Sequence, residues 1–204
     1  MNKGAPTQDR LIAAARGIFT RKGFDAASVR EITREAGANL GAITYHFGSK
    51  QALYDAVLED AFAPLSAVLE QARFAKGAPP LDRIERIVRA VFEKLGTTPE
   101  LPLLIIQQVI RQGALPAPAT RALGQVLGVL VQLIREGQVD GTIHEGDALL
   151  LAVSIWSQPV YFGLIRRLAP DHLLKASGGV PSMSAMADNA VGFIRRGLAR
   201  AAED

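Results

Sequence analysis

The chain has 204 residues, 49% hydrophobic and 21% charged, with no cysteine, a globular balance that excludes wholesale disorder, collagen-like repeats and every thiol-based chemistry. A cysteine-free chain suits a reducing cytoplasm, and the amino-terminal Met1–Arg10 has no apolar core that would make it a secretory signal. The formal net charge of +3 is unevenly spread, since residues 1–50 hold eight Lys or Arg against four Asp or Glu while the rest hold fifteen against sixteen. The amino-terminal end is therefore the one suited to a polyanion, although such a patch is often no more than a solvated face. The longest uninterrupted apolar run, Ala148–Val153, is six residues, so no membrane span is expected.

Helical periodicity runs throughout and no alternating strand with hairpin turns is found, so the expected fold class is all-α with about nine helices. Thr7 is expected to cap a first helix whose Leu11, Ile12, Ala15, Ile18 and Phe19 recur at steps of three and four, with a stop at Gly23. Ser28 opens a second, short helix. Glu31, three residues on, completes a capping-box pattern, and Gly37 offers a left-handed exit. Asn39 is expected to cap a third short helix through Leu40 and Ile43 to about Tyr45. Ser49 then caps a long fourth helix with the stripe Leu53, Tyr54, Val57, Leu58, Ala61, Phe62, Leu65 and Leu69, ended by Gly77-Ala78-Pro79-Pro80.

Further on, Ile84, Val88, Val91 and Leu95 mark another helix, and a Pro-bounded segment spans Glu100 to Arg111. The stripe Leu123, Val126, Leu127, Leu130 and Ile134 marks the next, with its end expected at Gly137 and Asp140-Gly141. Residues 145–168 are apolar nearly all round, with Pro159 inside as an expected kink. Asp171–Pro181 has loop composition, and Met183, Ala187, Ala190, Ile194, Leu198 and Ala201 define the last helix.

Two short helices joined by a tight Gly-containing turn behind a basic first helix form a helix-turn-helix layout. A helix enters the major groove only if its leading residues are small or polar, and Leu40-Gly41-Ala42-Ile43-Thr44-Tyr45 meets that need. Gly41, Ala42 and Thr44 can approach base edges while Ile43 turns inward. Tyr45, His46 and Lys50 can hold phosphates, as can Ser28 and Asn39 through hydroxyl, amide and helix-end N–H groups. The alternative for Tyr45 and His46 is that they only end a short helix and pack locally.

The stretch Ala27-Ser28-Val29-Arg30-Glu31-Ile32-Thr33-Arg34-Glu35-Ala36-Gly37-Ala38, continuing Asn39-Leu40-Gly41-Ala42-Ile43-Thr44-Tyr45-His46-Phe47-Gly48-Ser49-Lys50-Gln51-Ala52-Leu53, closely resembles the DNA-binding module of the TetR family of bacterial transcription regulators. The likeness covers residues 7–55, and only the general helical layout extends it further. It implies a helix-turn-helix domain over 1–50 and a helical ligand-binding and dimerisation domain over 51–204. It also implies a homodimer that represses from a palindromic operator and is released by a small molecule. Carried over position by position, Ala42, Thr44 and Arg30 would touch bases, and Ser28, Asn39, Tyr45, His46 and Lys50 would touch phosphates. Ile43 and Phe47 would be core. Arg30 could equally pair with an acid or lie in solvent.

In the larger domain, Gln107, Gln108, Arg111, Ser154, Trp156, Ser157, Gln158 and Tyr161 are polar or aromatic groups set in apolar helices. Buried polar atoms need partners, so these line an effector pocket or satisfy one another across a dimer interface. Gln107, Arg111, Trp156, Gln158 and Tyr161 are the candidate effector contacts, and few charges there imply a largely apolar ligand. By family analogy residues 145–168 and 184–201 form the dimer interface, a placement also favoured by the all-round apolar character of the former and by small residues Ala187, Ala190, Gly197 and Ala201 in the latter. An enzyme is not expected. His46, His144 and His172 lie in separate segments without metal-ligand spacing, and no catalytic motif, metal site or cofactor signature occurs. A helical carrier would explain the apolar domain but not the basic head.

Overall fold

The computed structural model describes residues 6–75, 77–168, 179 and 181–200. Among these the chain forms nine α-helices and no strand: α1 (Thr7–Ala26), α2 (Val29–Glu35), α3 (Ala42–Phe47), α4 (Lys50–Phe74), α5 (Pro80–Thr97), α6 (Leu101–Gln112), α7 (Ala117–Val139), α8 (Ala148–Leu168) and α9 (Met183–Leu198). A single antiparallel bridge joins Ile143 to Ala199. Lys3, Ala201 and nearly all of the Asp171–Pro181 loop, including His172, lie outside the described residues.

Several helix ends differ from expectation for identifiable reasons. Thr7 is the first residue of α1 and not its cap; Pro6 takes that position without a side-chain bond, and Thr7 Oγ1 accepts from Arg10 instead. Gly23 does interrupt α1, with φ 76° and ψ 174°, but helix resumes to Ala26. Asn39 does not cap α3 through its side chain. Its carbonyl accepts from Ala42 N at 2.9 Å, closing a turn through Leu40 and Gly41, so the helix starts at Ala42. Ser28 and Ser49 cap α2 and α4 as their sequence context predicts, accepting from Glu31 N (3.1 Å) and Ala52 N (3.0 Å).

Gly137 does not end α7. A Cβ there would lie 2.5 Å from Ile143 Cδ1, so the position is glycine because a buried isoleucine packs on the helix backbone. The helix ends at Val139, beside Asp140, whose Oδ1 accepts from Thr142 N. Asp147, which the sequence pattern did not single out, accepts from Leu149 N and Leu150 N and starts α8.

The chain divides into two compact units, one drawn from 1–63 and 103–120, the other from 64–102 and 121–204. In the first, Leu11, Ala15, Ile18 and Phe19 of α1, Ile32 of α2, Ile43 of α3 and Leu53, Tyr54, Val57 and Leu58 of α4 are buried together. Tyr54 meets Phe19 and Phe24 edge-on with ring centroids 4.9 and 5.4 Å apart, and its hydroxyl donates to Leu104 O at 2.6 Å. In the second, α9 packs on α5 and α8 around a core that includes Ile84, Val88, Phe92, Val126, Leu130, Ile155 and Ile194. Arg83 is buried yet fully used: it donates to the carbonyls of Ala72 and Arg73 and pairs with Glu136.

Two helices are more apolar overall than their short uninterrupted apolar runs suggest. Windows of α7 and α8 reach mean hydropathies of 1.3 and 1.6, so by length and composition both could cross a membrane. In α7 this apolarity feeds the core, through Val126, Leu130, Leu133 and Ile134. In α8 only 17% of the window is buried, leaving Leu149, Leu150, Val153 and Tyr161 on the surface. Of the small residues expected to permit contact with another subunit, Ala187 and Ala190 are spent on the chain's own core.

Candidate nucleic-acid interface

The geometry of the head follows from a few local rules. α2 ends in a Schellman motif in which Ala38 N donates to Thr33 O (2.8 Å) and Gly37 N to Arg34 O (3.1 Å). Gly37 holds φ 61°, a conformation with a steric cost for any residue bearing a Cβ. The Asn39–Ala42 turn then redirects the chain into α3, and Ile43, 1% exposed, fixes that helix to the head core. Burial of this one side of a six-residue helix forces its neighbours outward: Thr44, Tyr45 and His46 are all exposed, Tyr45 by 85%.

The nine predicted contact residues thus lie on one stretch of sequence with distinct environments. Ser28, Arg30, Asn39, Gly41, Thr44, Tyr45 and His46 are exposed, and Ala42 is half-buried at the start of α3. Ser28 Oγ accepts from Glu31 N, which leaves its O–H proton free to donate outward. The rings of Tyr45 and His46 meet edge to face at 4.9 Å. Phe47, expected in the core, is only half-buried. Lys50 differs from the rest because its charge is already engaged: Nζ lies 3.3 Å from Asp25 O and 4.4 Å above the Phe24 ring. Desolvation there pushes its pKa down, with Asp25 opposing and Arg111 adding to the shift.

Charge pairing sorts the cations of the head. Arg16 pairs with Asp60, Arg21 with Glu35 at 3.2 Å and Lys22 with Glu31 at 2.7 Å. The Lys22 hydrogen bond, ahead of any other cause, holds the Glu31 carboxyl below the usual range. Arg10, Arg30 and Arg34 have no carboxylate partner among the described residues. Arg10 in the first turn of α1 and Arg30 and Arg34 of α2 are thus the head arginines that form no ion pair among the described residues.

Sequence reasoning missed Thr7 and Arg10, which line a cleft with Asn39, Gly41, Tyr45 and His46. Their three-residue spacing at the start of a helix was the available signal, since it puts them on one face. The candidate effector residues fall in different units. In the first, Arg111 donates to Gln108 Oε1 (2.5 Å) and Gln51 Oε1 (2.9 Å) and lies 4.4 Å from the Phe24 ring centre, while Gln107 Oε1 is buried without a partner. In the second, Trp156 packs partly against the core, Gln158 is half-buried and Tyr161 is 64% exposed.

An exposed short helix locked by one buried isoleucine behind a tight turn, next to unneutralised cations, is the reading head of a helix-turn-helix DNA-binding regulator. Residues 11–57 match the model for bacterial regulatory proteins of the tetR family. The HTH-type transcriptional repressor NicS of Pseudomonas putida is 28% identical over 159 residues, 76% of this chain and 74% of that protein. The TetR family transcriptional regulator PfmR from Thermus thermophilus shares the fold with a TM-score of 0.73 at 24% identity, covering 94% of this chain and 100% of that one. The ketosteroid transcriptional regulator KstR2 of Mycobacterium tuberculosis does so with a TM-score of 0.73 at 20% identity, over 97% of each. Residues 11–57 thus carry the DNA-binding module of tetR-family regulatory proteins, and over most of its length the chain is similar to a transcriptional repressor.

Proposed function

We propose that the protein is a homodimeric repressor that binds a palindromic operator and is released by a small, largely apolar effector. In this reading residues 1–50 read DNA and residues 51–204 sense the effector and dimerise. The outward display of Thr44, Tyr45 and His46 from a helix pinned by Ile43 carries the proposal. Ala42, Thr44 and Arg30 would read bases, Gly41 would allow close approach, and Ser28, Asn39, Tyr45, His46 and Lys50 would position the head on phosphates.

The dimer interface would be the outer faces of α8 and α9. Leu150, Val153 and Ser157 recur on one side of α8, and Phe193, 63% exposed, offers an apolar group on α9. Two recognition helices reach successive half-sites only at a fixed separation, so an effector that favours another separation weakens binding. Trp156, Gln158 and Tyr161 remain the proposed effector contacts on α8, with Gln107 and Arg111 on α6. Gln107 has the unsatisfied oxygen that a hydroxyl-bearing ligand would meet. A soluble cytoplasmic regulator is the setting consistent with this role.

Selection of bound duplexes from a random pool tests the reading. Two half-sites in inverted repeat are expected, and Thr44→Val should change the preference at one position in each. Recovery of no duplex at low ionic strength overturns the proposal. For the dimer, Leu150→Glu should shift the sedimenting species from two copies to one.

A further inference from the structure

We propose that Arg10 is a DNA-phosphate contact, held by the first turn of α1 beside the recognition helix; this rests on the head binding duplex DNA as above. A cleft of about 450 Å³ opens between that turn and the α2–α3 corner, lined by Thr7, Arg10, Asn39, Gly41, Tyr45 and His46. Its polar lining is donor-rich, with a guanidinium, a hydroxyl, an amide and a phenol, and no carboxylate lines it. Such a cleft suits an oxyanion.

The state of the guanidinium strengthens the assignment. Arg10 is half-buried and has no acidic partner; one terminal nitrogen donates to Thr7 Oγ1 at a long 3.3 Å, and Nε is buried with no partner at all. The three head cations whose guanidinium or ammonium pairs with a carboxylate, Arg16, Arg21 and Lys22, are not among the cleft residues. An arginine kept unpaired, with donors to spare, next to Tyr45 and His46 is placed to take a backbone phosphate that flanks the bases met by α3. Thr7 steadies it there by accepting from the guanidinium.

A phosphate contact is blind to sequence, and that separates this role from base reading. The test measures binding of the full chain to a selected operator duplex and to a scrambled duplex of equal length, by fluorescence anisotropy from about 50 to 200 mM salt. For Arg10→Ala the expected result is a roughly ten-fold loss on both duplexes and a salt slope shallower by about 0.9, the value for one phosphate. Arg10→Lys should restore the slope and much of the affinity, because it keeps the charge.

Circular dichroism and thermal melting establish that both variants fold. A loss of affinity in Arg10→Ala with the slope unchanged assigns the residue a structural role and overturns the proposal. So does unchanged affinity while Tyr45→Ala binds weakly, a result that leaves the DNA-binding reading intact. If the unaltered protein ignores both duplexes, that reading itself fails and this one with it.

Discussion

Gly137→Ala would normally be a favourable change, since alanine in the middle of a helix gains roughly 0.8–1.0 kcal/mol over glycine. Here the added methyl would lie 2.5 Å from Ile143 Cδ1, 2.6 Å from Cγ1 and 3.1 Å from Cβ, against an ordinary carbon contact of about 3.5–4.0 Å. Rotating the end of the isoleucine does not relieve a clash that reaches its Cβ. The backbone of Ile143 is also tied, donating to Gly137 O at 2.8 Å and bridging to Ala199. Overpacking a site that cannot move typically costs about 1–3 kcal/mol, which exceeds the helix gain over most of that range. We therefore expect net destabilisation of up to about 2 kcal/mol, a drop in Tm of up to roughly 8 °C for a domain of this size.

Differential scanning calorimetry measures the drop, and a double-mutant cycle isolates its cause. Ile143→Ala alone should cost about 2–5 kcal/mol. Combined with Gly137→Ala it should cost at least about 1 kcal/mol less than the sum, because the new methyl enters vacated space. A rise in Tm for Gly137→Ala, or strict additivity in the double variant, refutes the packing argument.

Three further outcomes follow from single contacts. Ser28→Ala removes the cap of α2 and should lower stability by about 1 kcal/mol in urea melts; Ser28→Asp, which keeps an acceptor, should recover most of it. Tyr54 is buried and its pKa is raised chiefly by desolvation, so its phenol stabilises the fold fully below the ordinary value of about 10 and loses that contribution as pH rises toward the folded value. Tyr54→Phe should cost about 1 kcal/mol at neutral pH and flatten the alkaline loss of stability; parallel curves for the two proteins would contradict this. Lys50, with its pKa lowered by desolvation, carries more free amine at a given alkaline pH than an ordinary lysine. Competitive acetylation read by mass spectrometry should show it ahead of Lys22, and the reverse order would count against the Phe24 contact.

Much of the head was legible because its signals are local. The Ser28 cap, the Gly37 exit and the α4 stripe each depend on residues within a few positions of one another, and the fold keeps all three. Where expectation failed, a distant or competing partner decided. Asn39 had the right chemistry to cap α3, but its carbonyl closes the preceding turn. Gly137 resembled a helix end until Ile143, six residues on, supplied the reason for a missing side chain. Ala187 and Ala190 had the size for subunit contact, but α9 spends them inside its own unit. Thr7, which the sequence offers only as a helix cap, and Arg10 do not stand out as cleft residues because the rest of that cleft comes from about thirty positions later. No local pattern encodes such a meeting.

The internal ion pairs of the head bear on how the regulator finds its target. With Arg16, Arg21 and Lys22 neutralised by their own chain, few counterions are liberated when the head meets an arbitrary stretch of chromosome. In the proposed role these pairs would make its grip on random sequence lighter than eight basic residues suggest. Preference for the right locus would then rest on the base-reading groups, Ala42, Thr44 and Arg30, and not on bulk charge.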